Sequence, residues 1–221
     1  MRLYLASTSP ARLALLRQTG IEPVTVSPDV DEDAAAAAGA ARAGAPLAPV
    51  QLVELLARAK AEAVAAAGSA DGAAIDGLVL GGDSVFVLDD VIYGKPHTPA
   101  KAKERWLAQR GRTGVLYSGH WLIEHTDGQP GRAVGAVAQA SVTFADDMPD
   151  AELDAYIATG EPLYVAGAFT IDSLGAPYIT RIEGDPSTVV GLSLPTLRRL
   201  VRTLGYDWPS LWNRGISALP D

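Results

Sequence analysis

The sequence contains no cysteine and only three histidines among its 221 residues. The missing cysteines exclude disulfides, thiolate metal sites and cysteine nucleophiles. The histidines, His97, His120 and His125, lack the compact spacing of a metal site, so we do not expect bound zinc. Neither a P-loop nor a G-x-G-x-x-G fingerprint occurs, which removes two common nucleotide-binding motifs.

Long hydrophobic runs and an excess of positive charge are missing as well. No apolar run approaches the roughly 18 residues of a membrane span, and the first residues lack the zones of a signal peptide. The net charge of −8 disfavours a nucleic-acid-binding protein, whose domain is normally basic. We therefore expect a cytoplasmic protein without membrane or nucleic-acid partners. An anionic small ligand stays compatible, because a few local arginines and lysines suffice to hold a phosphate.

The composition is that of a globular protein, with 48% hydrophobic and 20% charged residues. Strand and helix patterns alternate along the chain, which predicts an α/β (mixed α+β) fold with one extended mixed sheet. Residues 163–182 are expected to alternate strands with glycine turns, and residues 34–49 to form a mobile loop or a short surface helix. We assign one domain to residues 1–207 and a loose tail to 208–221. The predicted helices cover residues 10–19, 49–67, 99–109, 150–159 and 194–204.

The stretch from Leu78 to Pro96 places an acid and a base at strand ends. A short buried strand leads into Gly81 and Gly82, which permit close approach to the backbone, and then into Asp83. Lys95 follows about one hairpin later. This arrangement suits a metal-and-phosphate site better than a core, although a hairpin with solvated charges is the alternative.

A second candidate site lies at the predicted start of the first helix. The strand at residues 2–6 is followed by small hydroxyl residues, of which Ser9 is a good N-cap and Pro10 a good first helical residue. Free backbone N–H groups and the helix dipole favour an anion there. Most capped helices bind nothing, but Arg12 in the first turn strengthens the indication.

Two further motifs have competing interpretations. Four acids in residues 29–33 fit either a solvated turn or a divalent-cation site, and from these residues alone we favour the turn. Gly82-Asp83-Ser84 could open an esterase with Ser84 as nucleophile, but that chemistry needs a nearby base. No Asp-x-x-His lies toward the C-terminus to supply one, so we do not favour an esterase.

The remaining charged residues form a set near strand and helix ends. Hard oxygen ligands select Mg²⁺ or Mn²⁺. Carboxylates that bind such a cation, an anion-binding helix start and lysines together make a phosphoanhydride site plausible. The set comprises the carboxylates Glu32 and Asp83 and the cations Arg12, Lys60 and Lys95.

The segment LASTSPAR at residues 5–12 resembles the opening signature of Maf-like nucleoside triphosphate pyrophosphatases. The resemblance covers nearly everything from Leu3 to Leu204. The further matching blocks are PDVDE at 28–32, LARAKA at 56–61, GDSV at 82–85, GKP at 94–96, GEPL at 160–163, AGAF at 166–169 and VVGL at 189–192.

The resemblance implies hydrolysis of a nucleoside triphosphate to the monophosphate and pyrophosphate, a house-cleaning activity on nucleotides. It also implies an elongated mixed sheet, two lobes around a central cleft as in inosine triphosphatases, a divalent cation (Mg²⁺ or Mn²⁺) and a homodimer. By position, Asp83 corresponds to the acid that activates the attacking water, and Glu32 to the acid that helps Asp83 hold the metal. Lys60 and Lys95 match the cleft lysines. The triphosphate-binding turn corresponds to Ser7, Ser9 and Arg12.

The chain departs from the family at the positions that set base specificity, which Ala11, Ser84 and Asp172 occupy here. The pyrimidine-preferring branch typically has Arg, Thr and Gln there, and the branch acting on 7-methyl-GTP has Trp, Gln and Glu. Residues 111–119 and the loop at 184–186 resemble the second branch more closely. Asp172 is able to accept two N–H bonds, as a guanine edge offers. We therefore hypothesise a tilt toward purine or methylated-guanine substrates.

An alternative comes from the family's association with septum formation. In that interpretation the cleft binds a nucleotide without turnover, and the protein regulates cell division through a partner. The presence together of Glu32, Lys60, Asp83 and Lys95 favours an enzyme.

Overall fold

The structure is a computed structural model that describes residues 1–213. Prolines begin several helices. The N–H of a first helical residue has no intrahelical acceptor, so proline, which lacks this N–H, loses no hydrogen bond there. The α-helices are α1 (Pro10–Gln18), α2 (Glu32–Ala43), α3 (Pro49–Ala67), α4 (Pro99–Gln109), α5 (Asp150–Ala158), α6 (Pro186–Val190) and α7 (Leu194–Thr203). The strands are β1 (Leu3–Ala6), β2 (Val24–Val26), β3 (Ser69–Ala70), β4 (Ala73–Ala74), β5 (Gly77–Leu88), β6 (Val91–Tyr93), β7 (Thr113–Thr126), β8 (Gln129–Phe144) and β9 (Ile179–Gly184).

Seven strands form one mixed sheet in the order β2-β1-β5-β7-β8-β9, with β6 paired to β5. Strand β1 is parallel to both β2 and β5, whereas β5–β6 and β8–β9 are antiparallel. Helices flank this sheet, which confirms the predicted α/β fold with a mixed sheet. Among the described residues, none of the helices combines the length and the apolar character of a membrane-spanning segment.

The chain divides into two compact units, each assembled from separate chain segments. The first unit comprises residues 1–83, 119–137 and the chain from 194 onward. The second comprises residues 84–118 and 138–193. The single domain at 1–207 stays a prediction, and each unit is described by itself below.

Helix α3 contributes a buried face to the core of the first unit. Its bounds, Pro49–Ala67, are those predicted from the sequence, and Gly68 follows it in the left-handed conformation. One face of the helix is buried against β1 and β5, with residues such as Val64 and Ala61 packed on Tyr4 and Val79. Lys60 lies on this buried face, so its charged side chain is largely shielded from solvent.

Gly81 allows α3 to lie directly on strand β5. A Cβ atom at this position would lie 2.7 Å from the backbone nitrogen of Ala61 and closer still to the carbonyl oxygen of Ala57. Because these neighbours are backbone atoms, they have little room to move aside. The close approach brings Lys60 of α3 to Asp83, two residues beyond Gly81.

We expect Gly81→Ala to lower the free energy of unfolding by about 2 kcal/mol, since overpacking a well-packed core costs this much. Equilibrium unfolding in urea measures the change. Gly94→Ala is the matched control, because no atom lies within 4 Å of a Cβ built there. Equal unfolding midpoints for the two variants would contradict the close helix–strand packing.

The second unit is organised around a cluster of aromatic rings. Phe169 contacts Phe144 and Phe86 edge-on, with ring centroids 4.9 and 5.1 Å apart. Trp106 of α4 packs on Phe144 and donates from Nε1 to the carbonyl of Ala168 at 2.6 Å. The cluster therefore fixes the irregular segment around residue 168 against α4 and β8.

Several sequence predictions differ from the observed elements. Residues 163–182 do not alternate strands with turns: three 3-10 turns occupy Glu161–Tyr164, Ala166–Ala168 and Ala176–Tyr178, and only β9 is a strand. The short apolar runs there are too interrupted by glycine and proline to pair as strands, and Gly167 adopts a positive φ of 74°. Residues 184–186, expected as a loop, contain the N-cap Asp185 and the start of α6.

The low-complexity region and the tail also take definite structure where they are described. Of the two options for residues 34–49, a surface helix is correct, because Asp31 caps α2 by accepting from the amide of Ala34 at 2.9 Å. The tail is not loose over residues 208–213: a 3-10 turn covers Trp208–Leu211, and Leu211 is fully buried. The rest of the predicted tail, 214–221, lies outside the described residues.

Candidate active site

The start of α1 gathers three hydroxyl and guanidinium groups of the first unit. Ser9 is the N-cap, as predicted, and accepts from the backbone amide of Arg12 at 3.4 Å. The Ser7 hydroxyl accepts from the backbone amide of Ser9 and from Nη1 of Arg12, both at 3.2 Å. The turn after β1 is therefore held with two hydroxyls and a guanidinium close together at the start of α1.

Arg12 is buried, with 8% of its surface exposed. Gly82 makes room for it, because a Cβ at Gly82 would lie 3.1 Å from Nε of Arg12. Burial lowers the pKa of Arg12, and the charges of Asp83 and Glu32 act in the opposite direction. The glycine before Asp83 thus serves to seat a cation beside that carboxylate.

Lys60 joins the two carboxylates that the sequence singled out. Its Nζ lies 2.7 Å from Oδ1 of Asp83 and 2.8 Å from Oε1 of Glu32. Lys60 and Asp83 are buried, whereas the Glu32 side chain is half exposed at the first turn of α2. Since both oxygens contact one nitrogen, the two carboxylates lie close to each other.

The environment of Asp83 changes its acidity. Burial raises the pKa of Asp83, while the charges of Lys60 and Arg12 oppose this shift without cancelling it. A carboxylate whose pKa is moved toward neutrality is a better general base than an ordinary surface aspartate. A pKa that is shifted by burial beside specific charged partners is also typical of functional sites.

The donor set at Glu32 and Asp83 fits a Mg²⁺ or Mn²⁺ ion that is completed by a ligand. Within residues 1–213, no group of three or more acidic or histidine side chains is arranged to hold a metal. Magnesium commonly binds through one or two carboxylates together with substrate phosphates. The Lys60 ammonium between the two carboxylates shows that their combined charge favours a cation.

Comparison with known proteins shows the family of this chain. The family model described as Maf-like protein matches residues 2–204. This chain belongs to the Maf-like family. A relative named nucleoside triphosphate pyrophosphatase from Leifsonia xyli subsp. xyli is 67% identical over 218 residues, covering 98% of this chain and 100% of that protein.

Two more distant relatives carry the same name. The protein from Rhodococcus opacus is 48% identical over 211 residues, which cover 94% of each chain. The protein from Corynebacterium diphtheriae is 45% identical over 213 residues, covering 96% of this chain and 99% of the relative. The similarity to these Maf-like proteins therefore spans both units of the structure.

In this Maf-like chain the predicted site residues fall into two groups. Lys95, Asp172 and Ser84 belong to the second unit; the first two are exposed and Ser84 is half-buried. Their part in the site stays a prediction. Ser84 Oγ lies 2.8 Å from Oγ of Ser118 within that unit. The structure gathers in the first unit Ser7, Ser9, Arg12, Glu32, Lys60 and Asp83, with Ala11 next to Arg12 on α1.

The sequence analysis did not single out two residues that contact the chain next to predicted site residues. Arg105 of α4 donates to the carbonyl of Gly94, the residue before Lys95, and its guanidinium lies 5.6 Å from the ring centroid of Tyr93. No sequence signal marks Arg105. Glu161, in contrast, lies in the GEPL block that resembles the family, and its contacts are described below.

Proposed function

We propose that this chain hydrolyses nucleoside triphosphates to the monophosphate and pyrophosphate. The observation that carries the proposal is the buried Asp83 carboxylate, flanked by Lys60 and Arg12 and joined through Lys60 to Glu32. The relatives named nucleoside triphosphate pyrophosphatase support the same activity. From the family resemblance we also infer a homodimer that acts in the cytoplasm.

The first step is binding of the triphosphate at the start of α1. The backbone N–H of Ala11 and the hydroxyls of Ser7 and Ser9 offer donors to phosphate oxygens, since Pro10 has no N–H and the amide of Arg12 is capped by Ser9. Arg12 supplies a guanidinium from a buried position, where a charge-assisted hydrogen bond is strong. On this proposal, exposed Lys95 of the second unit provides a further cation for the phosphates.

A divalent cation would be held by Glu32 and Asp83 together with the substrate phosphates. When bound, such an ion supplies Lewis-acid stabilisation of the charge that develops on the phosphoryl oxygens. The residues of the chain perform the rest of the chemistry.

Asp83 acts as the general base that takes a proton from the attacking water. The water oxygen forms a bond to phosphorus as the α–β phosphoanhydride bond breaks, and pyrophosphate leaves. Lys60 keeps the Asp83 carboxylate oriented through their 2.7 Å contact. Its positive charge also offsets the negative charge that develops during the reaction.

From the family resemblance we assign base selection to Asp172, with Ala11 and Ser84 at the two other positions that set it in the family. A carboxylate accepts but does not donate, so Asp172 suits the N–H groups of a guanine edge and not a pyrimidine carbonyl. We therefore propose purine or methylated-guanine nucleotides as the preferred substrates.

A panel of nucleoside triphosphates tests both parts of the proposal. We expect pyrophosphate release in the presence of Mg²⁺ or Mn²⁺. EDTA should abolish it, because a divalent cation would bind the two carboxylates and the substrate phosphates together. We expect 7-methyl-GTP and GTP to rank above 5-methyl-UTP, dTTP, UTP and CTP. In Asp172→Gln, whose amide donates as well as accepts, the ranking should shift toward pyrimidines.

Two outcomes would contradict parts of this scheme. An unchanged ranking in Asp172→Gln would remove that residue from base selection without touching the hydrolysis. Binding of nucleotides with no cleavage of any would instead support the alternative, a nucleotide-binding regulator of cell division.

A further inference from the structure

Glu161 is the acceptor of five hydrogen bonds in the second unit. It begins the 3-10 turn Glu161–Tyr164, and four of its five donors belong to one short segment, residues 170–175. The donors are the hydroxyls of Thr170, Ser173 (2.7 Å) and Tyr156 (3.1 Å) and the backbone amides of Leu174 (3.3 Å) and Gly175 (3.1 Å).

Residues 170–175 form neither a strand nor a helix. Polar backbone groups in such a segment need partners from elsewhere, and Glu161 provides them for two successive amides. The Thr170 hydroxyl also accepts from the amide of Gly175 at 3.2 Å, which ties the two ends of the segment together. Gly175 is packed tightly, because a Cβ there would lie 2.7 Å from both the Thr170 carbonyl and the Tyr156 hydroxyl.

Asp172 lies in the middle of this segment and is exposed. The residues on either side of it, at 170 and at 173–175, are the ones bound by Glu161. None of the five hydrogen bonds involves Asp172 itself. The Glu161 carboxylate thus fixes the backbone around residue 172 while leaving its side chain out of the network.

The charge of Glu161 strengthens this hold. Burial acts to raise the pKa of Glu161, but the hydrogen bonds from Thr170, Ser173 and Leu174 outweigh it and lower the pKa. The carboxylate is therefore ionised at neutral pH, and its hydrogen bonds are charge-assisted.

We propose that Glu161 is a positioning residue for substrate selection, whose carboxylate holds residues 170–175 in the conformation that presents Asp172 to the nucleotide base. This inference rests on the proposed function, because it assigns Glu161 to the site in which Asp172 selects the base. In this proposal Glu161 acts through residue 172 and takes no part in the chemical step.

Glu161→Gln tests the proposal, because glutamine keeps the size of the side chain but replaces one acceptor oxygen by a donor and removes the charge. We expect KM for the preferred nucleotide to rise about tenfold, the change that corresponds to losing one hydrogen bond to a charged group. We expect kcat to change much less, and the preference for guanine over pyrimidine nucleotides to fall. Glu152→Gln is the matched control: Glu152 is an exposed glutamate of the same unit that accepts one bond, from the Tyr178 hydroxyl at 3.1 Å.

A double variant separates positioning from a general structural role. If Glu161 acts through residue 172, then Glu161→Gln combined with Asp172→Gln should show the same nucleotide ranking as Asp172→Gln alone. Independent effects that multiply would overturn the proposal. Should Glu161→Gln fold poorly, Ser173→Ala removes a single bond of the network and should shift KM and ranking in the same direction by a smaller factor.

Binding constants distinguish failure of this inference from failure of the proposed function. Isothermal titration with non-hydrolysable α,β-methylene triphosphates gives Kd values for wild type and Glu161→Gln without any turnover. A wild type that binds these analogues but releases no pyrophosphate overturns the hydrolytic function alone. A Glu161→Gln variant that keeps wild-type KM, Kd and ranking overturns the positioning role alone.

Discussion

Asp83→Asn should lower kcat for pyrophosphate release by about 10³-fold, within the range for removal of a general base. Asparagine keeps the size and the acceptor oxygen of Asp83 but does not take a proton from water. The substrate should still bind, because the donors at the start of α1 and Arg12 are untouched. Steady-state assays of pyrophosphate release measure the loss.

The same variant should stay folded, which makes the assay decisive. Asparagine fills the space of Asp83, and the buried Lys60 ammonium keeps Glu32 as a partner at 2.8 Å, so no unpaired charge is left behind. Asp71→Asn is the control: Asp71 is an exposed aspartate of the same unit with a positive φ of 51°, a conformation that asparagine also adopts readily. It should retain wild-type activity. An Asp83→Asn variant with more than about a tenth of wild-type kcat would exclude Asp83 as general base.

Lys60→Met should be the most destabilising of these changes, by about 3 kcal/mol in the free energy of unfolding, because it leaves a buried carboxylate without its cation. Asp83 lies 2.7 Å from the ammonium and is itself buried, so water replaces the lost partner poorly. Hydrolysis should be lost at the same time. Urea unfolding and the pyrophosphate assay measure the two effects.

The double variant Lys60→Met with Asp83→Asn shows whether uncompensated charge is the cause. It should be more stable than Lys60→Met alone, because no charged group then remains at position 83. Lys101→Met is the surface control: Lys101 pairs with Glu104 at 2.6 Å with both side chains exposed, and it should cost less than about 1 kcal/mol. A double variant no more stable than Lys60→Met would assign the loss to packing of the lysine stem.

Elements with strong local signals could be predicted from the sequence. Helix α3 carries Pro49 at its first position, a glycine after its last turn and an apolar face at helical spacing, and its bounds match the prediction. Helix α1 has the same kind of start, with Ser9 as N-cap. In both helices the local preferences agree with the packing that the tertiary structure provides.

Segments held by distant partners could not be predicted in this way. Residues 170–175 take their conformation from the carboxylate of Glu161, ten or more residues earlier for most of the contacts, and no periodicity signals such bonds. Leu211 is buried although proline and polar neighbours suggest a loose tail. Tertiary contacts decide both segments.

The candidate site could be predicted from the sequence only in part. The types of its residues pointed to phosphate and a hard cation, but the meeting of Glu32, Lys60 and Asp83 depends on α3 lying across β5. Sequence spacing alone does not specify that crossing. The family resemblance supplied those residues as a set, and the geometry explains how they come together.

The network around Glu161 also bears on how such a protein could evolve. All five of its hydrogen bonds avoid the side chain of residue 172. A mutation at that codon therefore changes what the segment offers to a ligand without weakening the bonds that hold it. If Asp172 selects the base, as proposed, a single mutation there would change substrate selectivity while the bonds that hold the segment stay constant.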